Sequence, residues 1–465
     1  MSVTTINYMG AINSLFKAYD IRGKASVLSP NVAYWTGYSL VVDVLKHEFD
    51  NPVIAVMRDG RTSGPALYEA FCNGAIRGGA TIVSLGLGSS DMLYSYCNDR
   101  GIAGVIITAS HNPKGDNGIK IVSKPPKMLG MDSGLDVVRK KVLRKIGMPT
   151  GDFISIAIDE PARKELMQSF IQKLSHFAPS VRPLKVVVDA GNGMGGQLME
   201  HILTNAFEQV EFVPLYWEVD GKFPNHPADP SKYENLEDLQ RNVLAHNADF
   251  GVAFDGDGDR AFFVDETGRI VHADFAAALM ANHLLSDGPA KVVCPYSSSM
   301  AISDEVKASG GEIVLTKQGH TYIKEIMAAQ NGVFGCEYSG HYYFRDFGYM
   351  DSGAVALALM LQIVSSNQEL SQLVVNYRSR YFASPTTNIK ISEDLELDSL
   401  YASLINRFPE GEVNTEDGLL ITFSDWKFMV RKSNTEPVLR IVVETIGQNR
   451  IEEKLNLLKE LVSAN

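Results

Sequence analysis

The feature that most constrains this chain is a three-strand unit that recurs three times. In the first copy, apolar strand candidates run through 51–60 (NPVIAVMRDG), 80–86 (ATIVSLG) and 102–113 (IAGVIITASHNP). The second copy occupies 184–193 (LKVVVDAGNG), 209–216 (QVEFVPLY) and 248–260 (ADFGVAFDGDGDR). The third occupies 290–299 (AKVVCPYSSS), 311–319 (GEIVLTKQG) and 332–344 (GVFGCEYSGHYYF). Self-similarity of this kind is the mark of a repeated structural unit. A helix-compatible segment follows the first strand of each copy, as SGPALYEAFCNGAIRGG does in the first. Strands rich in Val and Ile that alternate with helices imply βαβ crossovers, hence an α/β fold with mixed, mostly parallel sheets. In such sheets, ligands bind beyond the carboxyl ends of the strands. Each copy carries a distinctive polar loop at that place: TASHNP, DGDGDR and EYSGH. Equivalent loops in related units can converge on one cleft.

After the third copy the pattern changes. The stretch 376–385 (NYRSRYFASP) reads as a linker, and an α+β segment follows from about residue 385. It carries strands at 418–423, 426–433 and 438–445 and closes with an amphipathic helix over 450–463. A chain of 465 residues exceeds one ordinary hydrophobic core. The expected division is three related α/β domains, 1–150, 151–268 and 269–372, and a smaller α+β domain, 373–465.

Composition narrows the function. Apolar content of 45% with 21% charged residues is that of a soluble globular protein. No run of eighteen apolar residues exists, so no membrane span is expected. The N-terminus lacks the basic start and apolar core of a secretory signal, so a cytoplasmic location is expected. Cys72, Cys97, Cys294 and Cys336 lie far apart without a CxxC pair and read as buried small hydrophobes. A formal charge of −12, with no block of Lys and Arg to offset it, argues against a nucleic-acid partner.

Asp255-Gly256-Asp257-Gly258-Asp259-Arg260 is the most informative loop. Three carboxylates at alternate positions, separated by permissive glycines, can turn inward around one hard cation. They leave room in an octahedral shell for water and a phosphate oxygen, which suits Mg²⁺. An EF-hand is excluded, because Arg260 stands where that loop needs glycine and strands rather than helices flank it, although Glu266 falls at the twelfth position. Ser110, in Thr108–Pro113, ends an apolar strand and precedes a polar turn, a suitable place for an exposed nucleophile. No Gly-x-Ser-x-Gly elbow surrounds it, which weakens a hydrolase reading. Lys120 reads as a general base or a phosphate contact. Glu337, Ser339 and His341 gather a carboxylate, a hydroxyl and an imidazole within five residues, the paired donors and acceptors that a sugar needs. His320, at the end of the preceding strand, could assist. Arg431, Lys432, Ser433, Asn434 and Thr435 supply cations, hydroxyls and an amide in one turn, a mixture suited to gripping phosphate. Gly191–Gly196 has the G-x-G-x-x-G spacing of a dinucleotide site. The acidic residue expected after the next strand is missing, however, since Glu211 falls inside it, and a tight strand-to-helix turn is the better reading.

Together these loops resemble the α-D-phosphohexomutase family, most closely its bacterial phosphomannomutase/phosphoglucomutase branch. The likeness runs from FKAYDIRG to RKSNTEPVLRIVVE, nearly the whole chain, with the four motifs in the family's order. The resemblance implies four domains around a central cleft, with Ser110 as the phosphoserine. It implies Mg²⁺ on Asp255, Asp257 and Asp259, completed by the phosphoserine. Lys120, Arg22, His111 and Arg260 match positions around the reacting serine, and Lys120 matches a proposed general base. Tyr19, His320, Glu337, Ser339 and His341 match sugar and ligand contacts. Arg431, Ser433, Asn434 and Thr435 match the loop that grips the non-reacting phosphate. The implied activity interconverts mannose 6-phosphate and mannose 1-phosphate, or the corresponding glucose phosphates, through a hexose 1,6-bisphosphate. The implied partner is a small hexose phosphate, not a membrane or nucleic acid, bound by a monomer or homodimer. Two departures bear on the choice of hexose. Tyr338 replaces the methionine usual in this branch, and the stretch GLGSSDMLYS (86–95) lacks the Thr-Pro common there. A phosphoglucosamine mutase, the alternative enzyme, usually carries Gln at the place of Tyr338. A non-catalytic relative would be expected to lose the serine or an aspartate, and both are kept.

Overall fold

The length of each connection decides the direction of the strand that follows it. A helix-long crossover returns the chain parallel, while a loop of a few residues can only reverse it. The computed structural model describes residues 3–366, 368–391, 395–432 and 438–463. The first sheet holds β1 (Ile21–Lys24), β2 (Val53–Arg58), β3 (Thr81–Leu87), β4 (Ala103–Ile107), β5 (Asp116–Lys124) and β6 (Lys127–Met128). Its order is β1-β5-β4-β2-β3, with β6 on β5. The second holds β7 (Leu184–Asp189), β8 (Val210–Leu215), β9 (Phe250–Phe254), β10 (Ala261–Asp265) and β11 (Ile270–Val271), in the order β11-β10-β9-β7-β8. The third holds β12 (Lys291–Pro295), β13 (Glu312–Thr316), β14 (Phe334–Cys336), β15 (Tyr342–Phe344) and β16 (Met350–Asp351), in the order β13-β12-β14-β15-β16.

All three sheets follow one plan. The first strand of the repeat pairs parallel with the second and the third, as β7 does with β8 and β9. The third strand then turns back into an antiparallel partner: β4 into β5, β9 into β10, β14 into β15. The sheets are therefore mixed but not mostly parallel. The polar loops are too short for a crossover, so each becomes the hairpin loop that ends a central strand.

The fourth sheet is antiparallel throughout: β17 (Tyr381–Ala383), β18 (Thr387–Lys390), β19 (Glu412–Asn414), β20 (Leu419–Thr422), β21 (Trp426–Lys432) and β22 (Val438–Ile446). The helix Ile451–Ser463 closes the chain over it. The segment expected to be a linker is ordered structure: the helix Leu370–Arg380 runs straight into β17. That strand satisfies its backbone along the edge of β22, which a free linker could not do.

One apolar core runs through the second and third domains and reaches one face of the first sheet. Another covers the opposite face of that sheet. The fourth domain has its own, built on Leu400, Trp426, Phe428, Ile441 and Leu458. It meets the third domain through polar contacts. Glu444 accepts from Ser299 Oγ and, at 2.8 Å, from the Met300 N–H, while Tyr381 donates to Asp304 at 2.6 Å. A separately cored body held by polar contacts is the one free to swing. Among the described residues, no helix is long and apolar enough to cross a membrane.

Candidate active site

The TASHNP segment forms the hairpin loop between β4 and β5. Ser110 sits in it at φ 51°, a left-handed conformation that costs a residue with a Cβ about 1–2 kcal/mol. Arg61 holds the loop in that shape. Buried to 1% exposure, its guanidinium donates to the carbonyls of Ser110 (2.6 Å), Asn112 (2.7 Å), Pro113 (2.9 Å) and Asp116 (2.9 Å). Its Nε pairs with Asp59 at 3.2 Å. Arg61 carries no signal of this role in the sequence, because RDGR at a strand end looks like any charged turn. Ser110 Oγ donates to Asp255 Oδ2 at 2.7 Å, so His111 Nδ1, 3.1 Å from the same oxygen, is its donor. Repulsion from Arg260, then burial, holds His111 neutral, far below the usual histidine range. Arg22, from β1, reaches Asn112 Oδ1 at 3.2 Å and pairs with Asp20 at 2.5 Å on the rim of this loop.

Asp255–Arg260 links β9 to β10 and lies against the serine loop. Glycine is required at Gly256, where a Cβ would stand 2.6 Å from the Ser110 carbonyl oxygen. Asp255, Asp257 and Asp259 are all buried, each with a carboxylate oxygen within 4.8 Å of the others. Burial, then the neighbouring Asp259 and Asp257, pushes Asp255 well above the usual carboxylate range. For Asp259 burial acts the same way, but Lys120, His341 and Arg260 outweigh it and hold the carboxyl well below its usual range. Lys120 projects from β5, with Nζ 2.7 Å from Asp257 Oδ2 and 2.5 Å from Asp259 Oδ2. Burial opposes its charge, yet those two carboxylates win and keep it an ammonium well above the usual lysine range. In this state Lys120 presents a positive charge that can meet phosphate. Ser90, also missed in the sequence, donates to Asp257 Oδ2 at 2.6 Å. Asp257 Oδ1 has no hydrogen-bond partner among the described residues, and a buried carboxylate oxygen left so is costly. An all-oxygen set with orphaned lone pairs fits a hard divalent cation. Gly256→Ala should push the two loops apart and lower kcat about 100-fold, read by steady-state kinetics.

The EYSGH loop joins β14 to β15 and touches the aspartate loop through a bridge between Arg260 and His341. His341 is buried, which with Arg260 disfavours its charge, but Asp259 and Glu337 raise it to about 9. Its Nε2 accepts from Arg260 Nε at 3.2 Å and lies 3.5 Å from Asp259, while its Nδ1 lies 3.3 Å from Glu337. Ser339 Oγ lies 2.9 Å from His341 Nδ1. Glu337 accepts from Tyr343 OH and from Gln318 Nε2, both at 2.6 Å. The Gln318 backbone N–H in turn donates to Asp417 Oδ2 (3.1 Å), which pairs with Arg431 (3.3 Å). Gln318 and Asp417 thus connect the third loop to the fourth domain, a link invisible in the sequence. Tyr19 and His320 stack edge to face with centroids 5.5 Å apart.

Ser110, His111, Lys120, Arg260, Asp255, Asp257, Asp259, Glu337, Ser339 and His341 are therefore brought into one contiguous set. Arg431 stands apart from it, beside a cavity of about 460 Å³ between the third and fourth domains, which Gln318 and the half-exposed Tyr338 also line. Ser433, Asn434 and Thr435 lie outside the described residues.

Family models built on known proteins match every part of this architecture. Those for the phosphoglucomutase/phosphomannomutase alpha/beta/alpha domains I, II and III match residues 13–137, 164–268 and 272–381, and that for the C-terminal domain matches 387–455. The phosphohexose mutases of Xanthomonas campestris are 35% identical over 457 residues, covering 96% of this chain and 99% of theirs. The phosphomannomutase/phosphoglucomutase of Pseudomonas aeruginosa is 32% identical, with 97% and 96% covered. The crystal structure of a phosphoglucomutase/phosphomannomutase family protein from Burkholderia thailandensis superimposes with a TM-score of 0.83 at 27% identity, covering 97% of each chain. With its four domains, its loop constellation and its full-length relatives in agreement, this chain belongs to the phosphoglucomutase/phosphomannomutase family and is a phosphohexomutase.

Proposed function

We propose that the enzyme interconverts mannose 6-phosphate and mannose 1-phosphate through phosphoserine 110 and a hexose 1,6-bisphosphate, with glucose phosphates as further substrates. The observation that carries this reading is the 2.7 Å hydrogen bond from Ser110 Oγ to Asp255. It sets a nucleophile of the first domain against the acidic cluster of the second. Asp255, Asp257 and Asp259 would hold Mg²⁺ with a phosphoserine oxygen, and the ion supplies neutralisation of the charge on the transferring group. The remaining work belongs to side chains. His111 orients the serine oxygen, while Lys120 and Arg260 offset phosphoryl charge. Glu337 and Ser339 hold sugar hydroxyls, and Arg431 with Ser433, Asn434 and Thr435 grips the phosphate that is not reacting. In the first half-reaction a sugar hydroxyl oxygen bonds to phosphorus as the phosphoserine P–O bond breaks, and the hydroxyl proton ends on the departing Ser110 Oγ. After the bisphosphate turns end for end, Ser110 Oγ bonds to the other phosphorus as its P–O bond to the sugar breaks, and the serine proton ends on the freed sugar hydroxyl. The separate core of the fourth domain supports a closing motion around that turn.

Arg431→Ala should raise KM about 10- to 100-fold, the worth of a hydrogen bond to a charged group, with kcat less affected; an unchanged KM removes that loop from the site. The choice of hexose is tested by kcat/KM for mannose 1-phosphate, glucose 1-phosphate and glucosamine 1-phosphate side by side. A clear preference for glucosamine 1-phosphate would overturn the assignment.

A further inference from the structure

Asp91 falls in the stretch 86–95 that departs from the family pattern, and it is fully buried, yet no cation pairs with it among the described residues. Two helix N-termini from different domains share its carboxylate. Oδ1 accepts from Ser89 Oγ and, at 2.8 Å, from the Met92 N–H in the first turn of the first-domain helix Ser90–Arg100. Oδ2 accepts from Ser352 Oγ (2.7 Å) and the Ala354 N–H (3.4 Å), which open the third-domain helix Gly353–Val364. Ser352 is itself the cap of that helix, accepting from the Val355 N–H at 3.0 Å. The positive ends of two helix dipoles therefore stand in for a counterion. The substitution is incomplete, since burial still pushes the carboxyl up to about 7.

Both neighbours of this carboxylate press on the aspartate loop. Ser90 donates through Oγ to Asp257 Oδ2 (2.6 Å) and through its N–H to the Asp257 carbonyl (2.9 Å). Gly353 packs so closely that a Cβ there would stand 2.7 Å from the Gly258 carbonyl oxygen and 2.9 Å from that of Arg260. Further along the same helix face, Tyr94 covers Lys324, which pairs with Asp351 at 2.8 Å, and Asn98 abuts Gly348. Asp91, Tyr94 and Asn98 recur at the spacing of one helical face, and all meet the third domain.

We propose that Asp91 is a positioning residue for phosphoryl transfer: by joining the two helix N-termini, it clamps the aspartate loop between Ser90 and Gly353 and holds it in register with Ser110 and His341. This inference rests on the proposed reaction. The test compares Asp91→Ala, Asp91→Asn, Ser352→Ala and the Asp91→Ala/Ser352→Ala double variant. It reads kcat and KM with glucose 1-phosphate, and separately titrates Mn²⁺ into the unphosphorylated protein by electron paramagnetic resonance. A displaced aspartate loop should lower kcat by about 10- to 100-fold and weaken Mn²⁺ binding by about tenfold, with KM within about threefold of wild type. The double variant should be no worse than Asp91→Ala alone, because both changes cut one connection. Asp91→Asn keeps the size and one acceptor, so it gives a folded variant with an intermediate loss even where Asp91→Ala does not fold. A folded Asp91→Asn with wild-type kcat and Mn²⁺ affinity overturns the inference, as do losses that multiply in the double variant. A wild-type protein inactive on every hexose phosphate would instead overturn the proposed reaction, leaving the Mn²⁺ titration to decide the role of Asp91.

Discussion

Ser110→Ala is expected to lower kcat by about 10⁴-fold or more, because in the proposed reaction Ser110 Oγ carries the phosphoryl group between the two half-reactions. The neighbouring groups explain why the loss should not be shared by its surroundings. Ser110 Oγ contributes one hydrogen bond to Asp255 and one contact with His111, while Arg61 holds the loop through backbone carbonyls that the substitution leaves in place. Binding of glucose 1-phosphate, measured by isothermal titration, should therefore stay within about threefold of wild type, since the substrate-gripping residues are untouched. Intact-protein mass should show a phosphate adduct on wild type after exposure to hexose 1,6-bisphosphate and none on the variant. Turnover by the variant near the wild-type rate would remove Ser110 from the chemistry.

The second large effect is expected at a residue that takes no part in the reaction. Arg61→Ala leaves Asp59 buried without its guanidinium and removes one donor from each of four carbonyl oxygens. Breaking a buried pair in this way costs about 3–5 kcal/mol, readable as a shift in the urea midpoint. Activity should fall further than stability requires, because the left-handed backbone at Ser110 loses what offsets its strain. Arg61→Lys should not rescue it. An ammonium offers three donors from one point, and the five acceptors around Arg61 need a planar fork. A lysine variant with wild-type kcat and midpoint would refute this account of the loop.

The chemistry-bearing loops were legible because each concentrates its function in a few consecutive residues. Three aspartates spaced by glycine, or a serine followed by His-Asn-Pro at a strand end, state their type and spacing in one line of sequence. The repeat was legible for the same reason, since hydrophobic strands and helix-length connections are local patterns. Strand direction was read less well, because it follows from connection length rather than from strand composition. The short helix-to-strand passage at 376–385 was misread as a linker, since only pairing with β22, some sixty residues later in the chain, makes Tyr381–Ala383 a strand.

What the sequence determined by itself is the inventory: a threefold α/β repeat with an α+β tail, a nucleophile, a carboxylate cluster, and polar and cationic loops at the ends of strands. What only the tertiary structure decided is which groups restrain them. Arg61 acts on Ser110 across 49 positions, Ser90 on Asp257 across 167, and Asp91 on Ser352 across 261. Such roles leave no local signature, because a buried donor is defined by the acceptor it meets, and that meeting exists only once the sheets have packed.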